Sequence, residues 1–178
     1  GRTVTAAECR MWAEEGAKSV AYHAAISWLA ARPRATGELE RRLRAKQYDT
    51  ETIRYVIDKC TEQGYLNDRE LAHSMVEQRL RNQRMGRLRV KEELRHKGIA
   101  DIHIEAALHR FAEEDEEGEW ERALAVGSKK WAARYKSPEE QKRRTGMYLL
   151  RRGFEHTLVM RVLDHLQAVE PWSNADDI

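Results

Sequence analysis

Three blocks of this chain carry the same kinds of residue at the same spacing, and that repetition limits the fold more than any other feature. Leu43, Lys46, Tyr48, Ile53, Val56, Ile57 and Cys60 recur 51 positions later as Leu94, Lys97, Ile99, Ile104, Ala107, Leu108 and Phe111. After a further 55 positions the set returns as Leu149, Arg152, Phe154, Val159, Val162, Leu163 and Leu166. Apolar positions map to apolar ones and the single basic position stays basic, the mark of an internal repeat. Upstream the match loosens: Ala21, Ala25 and Leu29 fall on Ala72, Val76 and Leu80, then on Gly127, Trp131 and Tyr135.

Each block reads as helical. Positions 53, 56, 57 and 60 have the i, i+3, i+4, i+7 spacing of a helix with one buried face. Gly98 and Gly153 stand where a helix ends in the left-handed conformation, each followed by an apolar residue that can fold back on the last turn. Gln47 replaces that glycine in the first block, so its turn is expected to be strained or shaped differently. Ser137-Pro138-Glu139-Glu140 and Asn67 with Glu70 are helix-start signals, with a cap and an acidic first turn. Gly64-Tyr65-Leu66 punctuates the boundary between the first two blocks.

The expected fold is therefore all-α, with three tandem three-helix repeats stacked into an elongated, curved body. The expected boundaries are an N-terminal extension over 1–18, repeats over 19–66, 67–112 and 118–167, an acidic linker over 113–117, and a tail over 168–178. Glu113 to Glu117 is five consecutive anions, which favours a solvated linker or a frayed helix end, or else a docking segment for a basic partner.

Chemistry is scarce. The glycines form no phosphate loop and no serine lies in a nucleophile elbow. His96, His103 and His109 lack ligand spacing, so no metal or other cofactor is expected. Glu92 and Glu93 are neighbours on a helix and diverge, which does not suit paired acid–base work. The chain reads as no enzyme, with no small-molecule substrate. No apolar run approaches the roughly 18 residues of a membrane span. Two cysteines make no disulfide framework; Cys60 reads as a buried hydrophobe, and a reduced, cytoplasmic setting is expected. Trp28 and Trp131 read as core residues, whereas Trp12, Trp120 and Trp172 lie outside the pattern.

Charge is segregated. The formal net charge is only +2, yet Arg79, Arg81, Arg84, Arg87, Arg89, Lys91, Arg95 and Lys97 crowd one short stretch against Glu92 and Glu93. Arg32, Arg34, Arg41, Arg42, Arg44 and Lys46 occupy the corresponding place in the first repeat. Lys142, Arg143, Arg144, Arg151 and Arg152 do so in the third. One repeated basic location suits an extended polyanion or a filament with recurring acidic sites. Arg79 falls inside an apolar stripe, where it either pairs with Glu92 or Glu93 or lies rigidly at a groove. Leu88 points outward amid arginines.

Gly64-Tyr65-Leu66-Asn67-Asp68, Arg69-Glu70-Leu71-Ala72, Arg79, Gly86, Arg89-Val90, Glu93-Leu94 and Lys97-Gly98-Ile99 together resemble the central signature of the RecX family, bacterial regulators of the RecA recombinase. Glu38-Leu39, Leu43 and Tyr48 resemble its first repeat, and Arg151-Arg152-Gly153-Phe154 its third. Leu71, Arg87 and Gln47 stand where the family commonly has phenylalanine, proline and glycine. The resemblance implies a non-enzymatic inhibitor lying in the groove of the RecA filament on single-stranded DNA. It implies limits on ATPase, strand exchange, coprotease activity and filament growth, hence a place in recombinational repair and the SOS response. The expected contact residues are Arg79, Arg84, Arg87, Arg89, Lys91 and Lys97, with Arg32, Arg34, Arg42, Arg44 and Lys46 before them and Arg151 and Arg152 after. The rival expectation is a helical protein that binds DNA directly, without a recombinase.

Overall fold

A computed structural model of the chain describes residues 5–115, 117–133 and 135–169. Among these there are nine α-helices and no strand. The helices are α1 (Ala6–Ala31), α2 (Thr36–Ala45), α3 (Thr50–Glu62), α4 (Asp68–Glu77), α5 (Arg87–Lys97), α6 (Asp101–Glu114), α7 (Gly118–Trp131), α8 (Pro138–Arg151) and α9 (His156–Val169). A π-helical turn, Gln78–Asn82, continues α4. The fold is all-α and built from three-helix repeats. The expected tail falls outside the described residues from position 170 on, and with it Trp172.

Helix α1 starts within the span expected as an N-terminal extension, where Thr5 and Glu8 form a reciprocal capping box, and it runs unbroken for 26 residues into the first repeat. Asp49 caps α3 by accepting from the Thr52 backbone N–H at 2.8 Å, and Ser137 caps α8 with Pro138 in the first turn. Asn67 accepts from the Glu70 N–H at 3.1 Å.

The chain divides into two compact units: residues up to Ala72 with Arg95–His103, and His73–Leu94 with the described residues from Ile104 on. The second repeat contributes chain to both. In the first unit α1, α2 and α3 pack on one another. Their stripes meet in a core that includes Ala21, Ala25, Leu39, Leu43, Ile53, Val56 and Cys60. Burial pushes the Cys60 thiol pKa up, in keeping with an inert apolar residue. In the second unit α7, α8 and α9 pack likewise, around Trp131, Leu149, Phe154, Val159, Val162, Leu163 and Leu166. The looser register of the first helices fails at its end. Helix α7 stops at Trp131, and Tyr135 lies beyond it, its hydroxyl donating to the Lys130 carbonyl at 2.7 Å.

Helix ends carry the junctions between repeats. Gly98 and Gly153 are left-handed at φ 85° and 87°, and Ile99 and Phe154 behind them are buried. In the first unit Gly37, near the start of α2, abuts Gly98, where an added Cβ would lie 2.7 Å from the Gly98 Cα and carbonyl oxygen. Arg41 reaches from the same helix to the His96 carbonyl at 2.7 Å. The second unit repeats the device. Gly86 abuts Gly153 with no room for a Cβ, and Arg89 donates to the Arg151 carbonyl at 2.8 Å. There the backbones also bond directly: Gly86 N–H donates to Arg152 O at 2.8 Å and Leu88 N–H to Gly153 O at 3.1 Å. Orphan carbonyls at one helix end satisfy orphan donors at another.

Two substitutions test these turns. Gly37→Ala would stabilise a free helix by roughly 0.5–1 kcal/mol. Against Gly98 it is instead expected to cost about 1–3 kcal/mol through overpacking, seen as a lower urea midpoint. Gln47 holds a left-handed φ of 63°, so Gln47→Gly is expected to raise stability by about 1 kcal/mol by relieving the strain of a Cβ there.

Candidate basic recognition surfaces

The residues expected from sequence to form one basic face have different fates. In the first unit Arg34 is largely withdrawn from solvent, its side chain 10% exposed. It donates to the Trp28 carbonyl at 3.1 Å and to Glu38 at 2.6 Å. Arg32 bonds the same carboxylate. Burial alone would raise the pKa of Glu38, but the two arginine hydrogen bonds prevail and hold it below the ordinary carboxylate value. Arg42 lies over the Trp28 ring, 4.4 Å from its centroid, a cation–π contact. Trp28 is accordingly half-buried, with one part in the core and the rest under a guanidinium. Arg44 is exposed and paired with Glu40 at 2.8 Å. Lys46 and Lys97 have no side-chain hydrogen bond or ion pair among the described residues.

In the second unit the alternative left open for Arg79 resolves to the ion pair. Its Nε and Nη2 donate to the two carboxylate oxygens of Glu93 at 2.9 and 2.6 Å. This fork-to-fork geometry fixes α5 against the π turn. Lys91 pairs with Glu105. Arg89 serves the junction of α5 with the end of α8. Arg152 is likewise occupied, donating to the carbonyls of Gln83 and Arg84, the latter at 3.1 Å. Arg84 has the left-handed φ of 47°, uncommon for a residue with a Cβ, and reaches Glu117 at 3.5 Å. Arg87 and Arg151 carry exposed side chains without an ion pair among the described residues. Leu88 beside them is 55% exposed, as its outward position on the wheel implied.

The acidic run divides between the expected readings. Glu113 and Glu114 finish α6, as the helix-end alternative has it, pairing with His109 and Arg110. Asp115 is not solvated: it forms an ion pair with Arg122, and the side chains are only 9% and 2% exposed. An arginine on the inner side of α7, with Phe111 5.4 Å away, requires a counter-charge, and Asp115 supplies it. Glu117 turns to Arg84, and Glu119 just beyond accepts from the Arg87 backbone N–H at 3.2 Å. Glu116 lies outside the described residues. Much of the basic partner of this acidic segment thus lies in the same chain.

Sequence reasoning missed one assembly of cations. Lys129 and Lys130, in the last turn of α7, line a cleft of about 300 Å³ with Arg84, Arg152 and Tyr148. The paired lysines at 129 and 130 were the visible signal, but their convergence with α8 and the π turn is tertiary. No group of histidine, cysteine and carboxylate side chains among the described residues could hold a metal ion. No helix among the described residues is long and apolar enough to cross a membrane.

The pairing of Arg79 with Glu93 is testable. Arg79→Ala is expected to destabilise the protein by about 1–3 kcal/mol, the usual range for a charged hydrogen bond that leaves its partner unmet. A double-mutant cycle with Glu93→Gln should return most of that as coupling.

Residues 21–60, 67–108 and 117–163 match the family models of the first, second and third three-helix domains of RecX. The chain is 30% identical over 142 residues to the regulatory protein RecX of Chlorobaculum tepidum, spanning 80% of this chain and 85% of that protein. It is 34% identical over 132 residues to that of Pelodictyon phaeoclathratiforme, spanning 74% and 79%. The match to the Bacillus subtilis protein is 31% over 146 residues but spans only 54% of that longer relative. The crystal structure of RecX from Lactobacillus salivarius superposes with a TM-score of 0.73 at 25% identity, covering 87% of this chain and 99% of that one. A second crystal structure of a regulatory protein RecX gives a TM-score of 0.77 at 20% identity, a likeness of fold, covering 92% of this chain and 80% of that one.

Proposed function

The chain belongs to the RecX family, and we propose that it is a non-enzymatic inhibitor of the RecA recombinase. It acts in the cytoplasm by binding the RecA filament on single-stranded DNA. In the filament groove it limits ATP hydrolysis, strand exchange, coprotease activity and filament growth. The name its relatives share, regulatory protein, supports the regulatory part of this reading.

The observation that carries the finer part is the set of cations left over once internal partners are subtracted. Arg34, Arg79 and Arg152 hold the protein's own groups, so their role is to shape the surface. Lys46 and Lys97 in the first unit, and Arg87 and Arg151 in the second, remain for a partner. Arg42, Arg44, Arg84 and Lys91 are held by interactions that a stronger anion can replace. Unpaired surface cations contribute most to the rate and salt dependence of association with an acidic surface.

Titration into RecA hydrolysing ATP on single-stranded DNA is expected to show inhibition well below one protein per recombinase subunit. The double variant Arg87→Glu, Lys97→Glu is expected to weaken inhibition about tenfold, equivalent to roughly 1.4 kcal/mol of binding free energy. Unchanged inhibition by a folded variant would refute the assignment of these residues. Direct DNA binding without a recombinase is the competing outcome. Six phosphate contacts on duplex DNA would give a log–log salt slope of about −5, with RecA-coated DNA bound no better than bare DNA.

A further inference from the structure

The cleft of the second unit brings four cations together at a strained piece of backbone. Arg84, Lys129, Lys130 and Arg152 line it, with the half-exposed ring of Tyr148, and no carboxylate is among its lining residues. Its volume, about 300 Å³, lies at the small end of the range for ligand sites, roughly 300–1,000 Å³. Arg152 is rigid: its Nη2 is held by two carbonyls, and its Nε is buried with no hydrogen-bond partner. Lys130 lies 5.7 Å from the Tyr148 ring centroid and Arg152 5.9 Å from it. Lys129 and Lys130 have no ion pair among the described residues.

The backbone that presents Arg84 is unusual twice over. It leaves a π turn, where Gln83 N–H donates to Gln78 O at 3.2 Å and Met85 N–H to Arg79 O at 3.0 Å. It then places an arginine, not a glycine, in the left-handed region. Single π turns and left-handed residues with a Cβ persist where the surroundings impose them, and they concentrate at functional positions. Here the surroundings are Arg152 below and Glu93, through Arg79, beside. Arg84 is paired with Glu117 at 3.5 Å, an exposed contact that an incoming anion would replace, whereas Lys129 and Lys130 are the uncompensated charges of the cluster.

We propose that this cleft is a phosphate site for a nucleotide, with Lys129, Lys130 and Arg84 on the phosphate oxygens and the base against Tyr148. Guanidinium and ammonium donors around one small hollow match a tetrahedral oxyanion. An aromatic wall gives a base of any sequence a face to stack on. A second cleft shares Lys130 with Lys136 and Arg144, but Glu140 also lines it and pairs with Arg144 at 2.8 Å, so the proposal rests on the first cleft. The phosphate can come from a free nucleotide or from the backbone of a single strand. The site needs no recombinase, although Arg84 and Arg152 also belong to the surface proposed to face the RecA filament.

The test uses the isotopically labelled full chain, titrated separately with ADP and with a thymidylate hexamer at 150 mM salt. Saturable amide shifts are expected at Gln83, Arg84, Lys129, Lys130 and Tyr148. Response to ADP alone assigns a free-nucleotide site, response to the hexamer alone a strand site, and either supports the proposal. Lys129→Glu with Lys130→Glu is expected to weaken binding at least about tenfold. It should also lower the salt slope for the hexamer by about 0.7 for each phosphate no longer neutralised. Tyr148→Leu should weaken ADP more than pyrophosphate. The proposal is overturned if neither probe shifts these residues, or if the lysine variant folds and binds undiminished. Because no recombinase is present, failure here leaves the ATPase test of the proposed function standing, and the converse holds as well.

Discussion

The fold depends on helix ends that satisfy one another. Between repeats two and three, the last carbonyls of α8 accept from the first donors of α5, Arg152 O from Gly86 N–H and Gly153 O from Leu88 N–H. Each group would otherwise need water or a side-chain cap. Such proximity is possible only where neither backbone carries a Cβ, which is why glycine stands at 86 and at 153. Between repeats one and two the same approach occurs at Gly37 and Gly98. There the helix start is capped differently, with the Asp68 carboxylate accepting from the Thr36 N–H at 2.8 Å. In both places an arginine on the second helix of one repeat reaches the carbonyl two residues before the next repeat's terminal glycine, Arg41 to His96 and Arg89 to Arg151.

That construction changes the meaning of the recurring positive charge. A location that is basic in every repeat suggests a partner when only the sequence is known. Part of it has an internal cause: helix C-termini present unsatisfied carbonyls and the negative end of the dipole, which attract arginine and lysine. Arg41, Arg89 and Arg152 answer that demand. Lys46, Lys97 and Arg151 stand at the C-terminal ends of α2, α5 and α8, where the dipole favours a cation even without a hydrogen bond; of these residual cations Arg87, at the start of α5, lacks that explanation. Arg87, which the positive end of the α5 dipole opposes, is therefore the strongest of the four as a ground for an acidic partner.

Sequence was most informative where one residue type does one local job. Gly98, Gly153, Ser137 and Asn67 mark their turns because a left-handed φ or an N-cap selects few side chains, whereas the Asp49 cap went unread. The stripes of α3, α6 and α9 were legible because most of their apolar residues share one buried face, despite exposed Ile102 and Met160. Helix α1 was legible only in part, since its first half has exposed Met11 and Trp12 and no consistent stripe. The burial of Asp115 with Arg122 was invisible within a run of five anions, because charge repulsion argues for solvent and only the tertiary position of α7 reverses it. The cleft was hidden for a similar reason: Lys129 and Lys130 gain significance from Arg84 and Arg152, which are distant in the chain.

The π turn connects these observations. An α-helix continued past Glu77 would keep a strict 3.6-residue period, and the wheel places Arg79 within the buried stripe of that period. Widening the turn by one residue keeps Leu80 buried while the Arg79 guanidinium meets Glu93 on α5. The extra residue must be absorbed downstream, and the left-handed Arg84 absorbs it. The carbonyls of Gln83 and Arg84 are then closed by Arg152 from the third repeat. A half-buried charge in a helix stripe, paired with Glu93, thus coincides with the widened turn, and the loop that follows brings Arg84 to the cleft. Removing the charge at position 79 would take away the tie between α5 and the π turn, and that turn leads directly into the backbone that presents Arg84 to the cleft.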